Sequence, residues 1–179
     1  MTSIAPLDWL KSNSEESLNE LKELLRIPSV STQPARKKDV QRCAESVSQL
    51  LTRFGLEKVT IHPTKLHPVV TAEWCHQPNA PTILLYGHYD VQPETPVELW
   101  NTPPFEPTII GGQIIARGVS DNKGMIFAHI KAIQAWLEST GSLPVNVKVI
   151  IEGEEEIGSP NLIPFVEANQ KLLEADMCL

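Results

Sequence analysis

The chain has 179 residues, of which 41% are hydrophobic and 21% are charged. This share of apolar residues is typical of a globular domain and excludes an intrinsically disordered chain. Its 22 acidic residues outnumber 15 lysines and arginines, so the net charge is −7, and neither nucleic acid nor an anionic membrane is an expected partner.

The cysteines and the N-terminus indicate in which cellular compartment the protein is expected. Cys43, Cys75 and Cys178 lack the spacing of a metal site, and their odd number does not form a disulfide framework. The N-terminus has no basic start followed by an apolar run, and no stretch approaches the ~18 apolar residues of a membrane span. We therefore expect a soluble cytoplasmic protein in a reducing compartment.

Hydrophobic periodicity predicts helices first and strands afterwards. Leucines at helical spacing predict a helix over residues 6–26, and Pro28 accounts for its end. A second amphipathic helix is predicted over residues 36–54, before Gly55. Short β-branched or apolar runs between prolines and glycines predict strands over residues 58–62, 68–74 and 82–86.

Strands and helices alternate in the second half of the chain, which predicts an α/β fold with a mixed sheet. A Gly-Gly pair predicts a hairpin over residues 108–115. A helix over residues 125–137, with Ser120 or Asp121 as its cap, precedes a strand over 145–151. Ser159 as N-cap and Pro160 as first helical residue predict a helix that extends to about residue 170.

Residues 175–179 have the pattern of a strand that begins after a helix. Domains seldom end on the first residues of a core strand, because its backbone and its apolar face need neighbours. We therefore expect a truncated chain that is poorly stable and prone to aggregate on its own.

Three polar clusters lie at strand ends or helix starts. Residues 87–93 (GHYDVQP) and 152–159 (EGEEEIGS) each follow an apolar strand, and residues 118–124 (GVSDNKG) stand at a helix start. Sites in open α/β sheets form at the carboxyl ends of strands. We expect all three clusters to meet in one crevice.

The residue types in these clusters favour a divalent metal. Several crowded carboxylates cannot all stay ionised without a cation, and histidine with Asp and Glu is a plausible zinc set. Asp90 can hold the second ring nitrogen of His88. Of the adjacent Glu155 and Glu156, one can bind metal while the other takes the proton from a metal-bound water.

Each cluster has a simpler explanation when it is taken alone. His88 can be a core or loop histidine, Asp121 a helix cap, and residues 154–156 a solvated charged face. Residues 120–123 (SDNK) contain two strings found in serine penicillin-recognising enzymes, but one stretch would have to serve as both, and no Lys-Thr-Gly occurs. The other histidines lie outside the clusters and are assigned no function: His62, His67, His76 and His129.

Taken together, four segments resemble the co-catalytic zinc metallopeptidases, a family that includes carnosine dipeptidases, glutamate carboxypeptidase, acetylornithine deacetylase and succinyl-diaminopimelate desuccinylase. The segments are residues 86–93 (YGHYDVQP), 100–107 (WNTPPFEP), 117–124 (RGVSDNKG) and 155–159 (EEIGS). Tyr89 with Gln92 and Pro93 is most similar to the dipeptidase branch. The resemblance implies an α/β catalytic domain with a mixed, mostly parallel central sheet and helices on both faces.

The resemblance also implies roles for the matching residues. His88 and Glu156 would be metal ligands, and Asp121 would bridge two divalent ions, with zinc expected and manganese or cobalt acceptable to the same donors. Asp90 would orient His88, and Glu155 would be the general base. A non-proline cis peptide bond is expected directly after Asp121.

The implied reaction is hydrolysis of the amide bond of a dipeptide or small peptide by a metal-bridged hydroxide. An N-acyl amino acid deacylase of the same family, or an inactive remnant that binds a ligand or a partner, remains an alternative.

The resemblance makes residues 1–179 the N-terminal part of a catalytic domain. A further acidic ligand, which we do not assign to Asp176, a distant histidine ligand and a lid or dimerisation domain are missing. The chain alone is therefore expected to be inactive, whereas the full-length form could be a homodimer.

Overall fold

A computed structural model describes residues 5–179. Residues 1–4 lie outside the described residues, and so does that part of the N-terminus for which no targeting segment is predicted. The strands are β1 (Glu57–His62), β2 (Val69–Trp74), β3 (Thr82–His88), β4 (Thr108–Ile110), β5 (Gln113–Ile115), β6 (Asn146–Glu152) and β7 (Met177–Cys178). The helices are α1 (Pro6–Ser12), α2 (Ser14–Leu25), α3 (Lys37–Arg53), α4 (Lys123–Thr140), α5 (Leu162–Ala168) and α6 (Gln170–Leu173).

Five strands form a mixed sheet in the order β1-β2-β6-β3-β7, which confirms the predicted fold class. β1 with β2 and β2 with β6 are antiparallel, whereas β6 with β3 and β3 with β7 are parallel. The antiparallel share is therefore larger than a mostly parallel sheet would have. β4 and β5 form the predicted hairpin, with positive φ at Gly111 and Gly112.

Helices cover both faces of the sheet, as predicted. Residues of α2, α3 and α4 pack in one large core cluster with alternate residues of β2 and β6, among them Val70 and Val149. The opposite-facing Val69 and Ile150 pack in a smaller cluster with Leu173 of α6. Because both faces of β2 and β6 are buried, these strands can be apolar along most of their length.

The first predicted helix is interrupted. α1 ends at Ser12 and α2 begins at Ser14, so a single helix over residues 6–26 is wrong at Asn13. The Asn13 side-chain amide donates to the carbonyl of Trp9 at 2.8 Å. Local side-chain bonds of this kind compete with regular helical geometry.

Two predicted helix caps are also wrong. Asn122 precedes α4, and neither Ser120 nor Asp121 occupies the capping position. Ser159 has φ +52°, and its hydroxyl donates to a carboxylate oxygen of Glu152 at 2.8 Å, so α5 begins later, at Leu162. The Asp121 carboxylate instead contacts His88, and the Ser159 hydroxyl is used by Glu152.

The last strand, β7, lies at the edge of the sheet. It is the strand predicted to begin within residues 175–179, and it pairs with β3. Met177 and Leu179 are 51% and 62% exposed. None of the helices found within residues 5–179 combines the length and the apolar character needed to cross a bilayer.

Candidate metal centre

The carboxyl ends of β3 and β6 lie side by side. His88 is in register with Glu152, and the Tyr89 amide donates to the Glu152 carbonyl at 2.9 Å. Since the two strands are parallel, the loops that follow them leave the sheet at the same edge. Two of the three polar clusters therefore start next to each other.

Gly87 brings the third cluster to this edge. A Cβ atom at this position would overlap the Ile126 side chain of α4 and lie 2.7 Å from Oδ1 of Asn122. The missing side chain lets the start of α4 approach β3 closely. Asp121 lies close to His88 as a result, with Oδ1 at 2.9 Å from Nε2. The Asp121–Asn122 peptide bond is cis, as the family resemblance implies.

His88 lies at the centre of the site and is only 5% exposed. Its Nε2 atom is 2.9 Å from Oδ1 of Asp121 and 3.7 Å from Oε2 of Glu155. Its Nδ1 atom is 3.3 Å from Oδ1 of Asp90 and 3.1 Å from the Asp90 carbonyl oxygen. One ring nitrogen thus faces Asp121 and Glu155, and the other faces Asp90.

Asp90 is completely buried and connects three segments. Its Oδ2 atom accepts from the Ser31 hydroxyl at 2.6 Å and from the Glu156 amide at 3.1 Å. Its Oδ1 atom accepts from the Glu155 amide at 3.3 Å. One carboxylate therefore contacts His88 and also fixes the 3₁₀ turn Glu155–Ile157.

The two glutamate side chains of this turn lie close to His88. One ligand atom from each of His88, Glu155 and Glu156 lies within 4.8 Å of the others, and Glu156 also accepts from Gln92 Nε2 at 2.6 Å. Asp121 contacts His88 but is not part of this group of three. The structure therefore gathers all five candidate residues, with Asp121 at the margin.

The charges of the site favour a bound cation. Within residues 5–179, no lysine or arginine forms an ion pair with Asp90, Asp121, Glu155 or Glu156. Burial lowers the pKa of His88, but its hydrogen bond to Asp90 and the charges of Asp90 and Glu155 outweigh burial and raise it to about 9. Burial also raises the pKa of Glu156. An imidazole nitrogen beside carboxylates that have no lysine or arginine partner among the described residues fits a divalent metal.

Two glutamates of residues 152–156 are structural and are not part of the group formed with His88. Glu154 is 2% exposed and accepts from Thr64 Oγ1 at 2.9 Å and from the His67 amide at 2.7 Å, so the expectation of a solvated face is wrong for this residue. Glu152 is also buried and accepts from the Tyr86 hydroxyl at 2.8 Å. These two carboxylates anchor the loop that presents Glu155 and Glu156.

Three residues that touch the site were not predicted from the sequence. Ser31 binds Asp90, and Asn122 accepts from the His88 amide. Gln92 binds Glu156. Gln92 and Asn122 stand within the quoted motifs, where their proximity to the candidate residues was a signal. Ser31 had no such signal, because it follows a predicted helix far from the clusters.

Comparison with known proteins identifies the family. The sequence profile of Peptidase family M20/M25/M40 matches residues 84–178, which include every candidate site residue. The chain belongs to this family.

Relatives in this family are similar over most of the chain. Beta-Ala-His dipeptidase of Homo sapiens is 35% identical over 171 residues, which cover 89% of this chain and 34% of that protein. Cys-Gly metallodipeptidase dug1 of Schizosaccharomyces pombe is 32% identical, with 93% and 38% covered. The crystal structure of human carnosine dipeptidase 1 superposes with a TM-score of 0.89 at 33% identity, with 97% and 39% covered. The chain thus spans little more than a third of the length of these relatives.

Proposed function

We propose that residues 1–179 are the N-terminal part of the catalytic domain of a metal-dependent dipeptidase. The proposal rests above all on the grouping of His88, Glu155 and Glu156 ligand atoms within 4.8 Å of one another. Membership of the peptidase family and similarity to two proteins named as dipeptidases support it. The span of the relatives supports the view that the rest of the domain lies in further sequence.

Three residues would hold the metal in this proposal. His88 Nε2 and a Glu156 carboxylate oxygen would be terminal ligands, and Asp121 would bridge two divalent ions, with zinc as the expected metal. Such ions lower the pKa of a bound water and polarise the scissile carbonyl. Asp90 would keep Nδ1 of His88 occupied, so that Nε2 stays directed into the crevice.

Glu155 would carry the proton. Its side chain is 42% exposed, so a small peptide can reach it, and its Oε2 atom lies on the crevice side of His88. The carboxylate would take a proton from the attacking water and deliver it to the leaving amine. Its backbone amide is held by Asp90, which fixes the base relative to His88.

Metal content tests the proposed site. The chain would be stripped with a chelator, dialysed against micromolar zinc and analysed for zinc per chain. We expect a single weakly held ion, lost in His88→Ala and kept in His129→Ala, a histidine outside the site. Equal zinc in both variants would contradict the site, and two tightly held ions in the unaltered chain would contradict the idea that further ligands are missing.

Hydrolysis tests the reaction in the complete domain. We expect hydrolysis of beta-Ala-His or Cys-Gly to exceed that of N-acetyl amino acids. Glu155→Gln should slow it by about 10²–10⁴-fold with metal retained, because the base is lost while the ligands remain. Preference for N-acetyl substrates would favour the deacylase alternative. A metal-loaded domain that hydrolyses neither class would favour the remnant.

A further inference from the structure

We propose that Ser31 is a positioning residue of the metal site and acts through Asp90. The inference deepens the proposed function and rests on it, because Ser31 touches neither the candidate ligands nor the proposed base. Its hydroxyl donates to Asp90 Oδ2 at 2.6 Å, and Ser31 and Asp90 are 8% and 0% exposed. A hydroxyl-to-carboxylate bond of this length is charge-assisted and strong.

The bond restricts the rotation of the Asp90 carboxylate. The terminal torsion of an aspartate is intrinsically broad, so backbone position alone does not decide which oxygen faces His88. Ser31 holds Oδ2, which leaves Oδ1 at 3.3 Å from Nδ1 of His88. The same carboxylate accepts the amides of Glu155 and Glu156. Its orientation therefore sets the position of the imidazole together with that of the 3₁₀ turn Glu155–Ile157, the acidic turn.

The segment that carries Ser31 is itself fixed next to Asp90. Val30 forms a parallel bridge with Val91, and the Val91 amide donates to the Ser29 carbonyl at 3.0 Å. The Ser29 hydroxyl donates to the Tyr89 carbonyl at 2.7 Å. The segment thus lies along the chain that follows β3, and Ser31 meets Asp90 in a defined register.

Ser29 supplies a matched control. It is buried like Ser31, lies two residues away in the same segment and donates one hydrogen bond, but its acceptor is a backbone carbonyl rather than Asp90. Ser29→Ala and Ser31→Ala remove the same atom from the same segment. Only Ser31→Ala removes a hydrogen bond to the Asp90 carboxylate. Ser31→Thr keeps the hydroxyl and should restore what Ser31→Ala loses.

The experiment measures zinc affinity of the 179-residue chain by competition with a chromophoric chelator, together with the amide NMR signals of Glu155 and Glu156 in the metal-free chain. We expect Ser31→Ala to weaken zinc binding about tenfold, the lower end of the range for groups that orient metal ligands. It should also move both amide signals. Ser29→Ala should do neither, although both variants lower the unfolding midpoint.

The two readouts separate the failure of this inference from failure of the proposed function. Equal zinc affinity in Ser31→Ala and the unaltered chain, or equal weakening in Ser29→Ala, would overturn the role of Ser31. If the unaltered chain bound no zinc, the proposed site would fail in this chain. The amide signals would then still decide whether Ser31 orients Asp90, since unchanged signals in Ser31→Ala would overturn the inference without any metal.

Discussion

The buried half of the candidate site, His88 and Asp90, contrasts with its exposed half, Asp121 and Glu155. His88 and Asp90 are 5% and 0% exposed, whereas the side chains of Asp121 and Glu155 are 70% and 42% exposed. Hydrogen bonds supplied by the folded chain hold the buried pair. The exposed carboxylates contact His88 and otherwise face solvent. The folded chain therefore fixes the side chains of the buried half, whereas in the exposed half it fixes the Glu155 backbone and leaves the two carboxylates open to solvent.

The contrast follows from the elements that carry each half. His88 ends a central strand whose neighbours bury it, and Asp90 follows it beneath the acidic turn. Asp121 stands in a loop before α4. An ionised side chain costs little free energy on an exposed loop and much in the interior unless it is hydrogen-bonded. Substitutions in the buried half should thus affect both folding and metal binding. In the exposed half, substitution of Asp121 should affect mainly metal binding, and substitution of Glu155 mainly the reaction.

The largest effect is expected from Asp90→Asn. The amide keeps the volume but loses the charge and one acceptor, which leaves a donor among Ser31, Glu155 and Glu156 without a partner. We expect the free energy of unfolding to fall by about 2–3 kcal/mol and zinc affinity to fall about 10–100-fold. Urea denaturation and chelator competition measure the two quantities.

Asp8→Asn is the control for this variant. Asp8 is an exposed aspartate whose ion pair with Lys11 spans 3.5 Å, so its loss should change the free energy of unfolding by less than about 1 kcal/mol. The assigned role of Asp90 would be wrong if both variants unfolded at the same urea concentration.

The second effect is a pair of opposite pH dependences. As pH rises, the stability of the metal-free chain should fall and its zinc affinity should increase. The pKa of His88 is raised from 6.5 to about 9, so protonation favours the folded metal-free chain. This contribution is fully present below about pH 6.5 and is lost as pH rises through about 9. Zinc binds the neutral ring, so its affinity should instead rise about tenfold per pH unit from about pH 7 to 8.5.

Urea denaturation of the metal-free chain and zinc competition at several pH values test these opposite trends. His88→Ala should remove the dependence of metal-free stability on pH in this range. A metal-free chain that became more stable from pH 6.5 to 8.5 would contradict the charged state assigned to His88.

Strands were predictable because they depend on local pattern, and the convergence of the clusters because a general rule places the ends of parallel strands at one edge. Apolar runs of the right length marked β3 and β6, and polar residues directly after parallel strands must share an edge. The resemblance further implied the cis bond after Asp121, which the structure contains. The roles of the site residues stay predictions, since placement alone does not test them.

Contacts between distant segments were not predictable. Ser31 and Asp90 are 59 residues apart, and Glu154 is 90 residues from Thr64. Nothing in the local pattern of a serine or a glutamate shows which distant group it will meet. The cap predicted at Ser159 is wrong for a local reason, because its hydroxyl binds Glu152, seven residues earlier in the chain.

The smallest effect is the change in stability expected for Asp121→Ala. Its side chain is 70% exposed, and its contact with His88 at 2.9 Å is screened by solvent. Its removal should therefore change the free energy of unfolding by less than about 1 kcal/mol. Zinc affinity should nevertheless fall, because a proposed ligand is lost. Urea denaturation and zinc competition on the same sample give both values. A loss of stability as large as that of Asp90→Asn would show that the exposed half is also built into the fold, and the division between the two halves would fail.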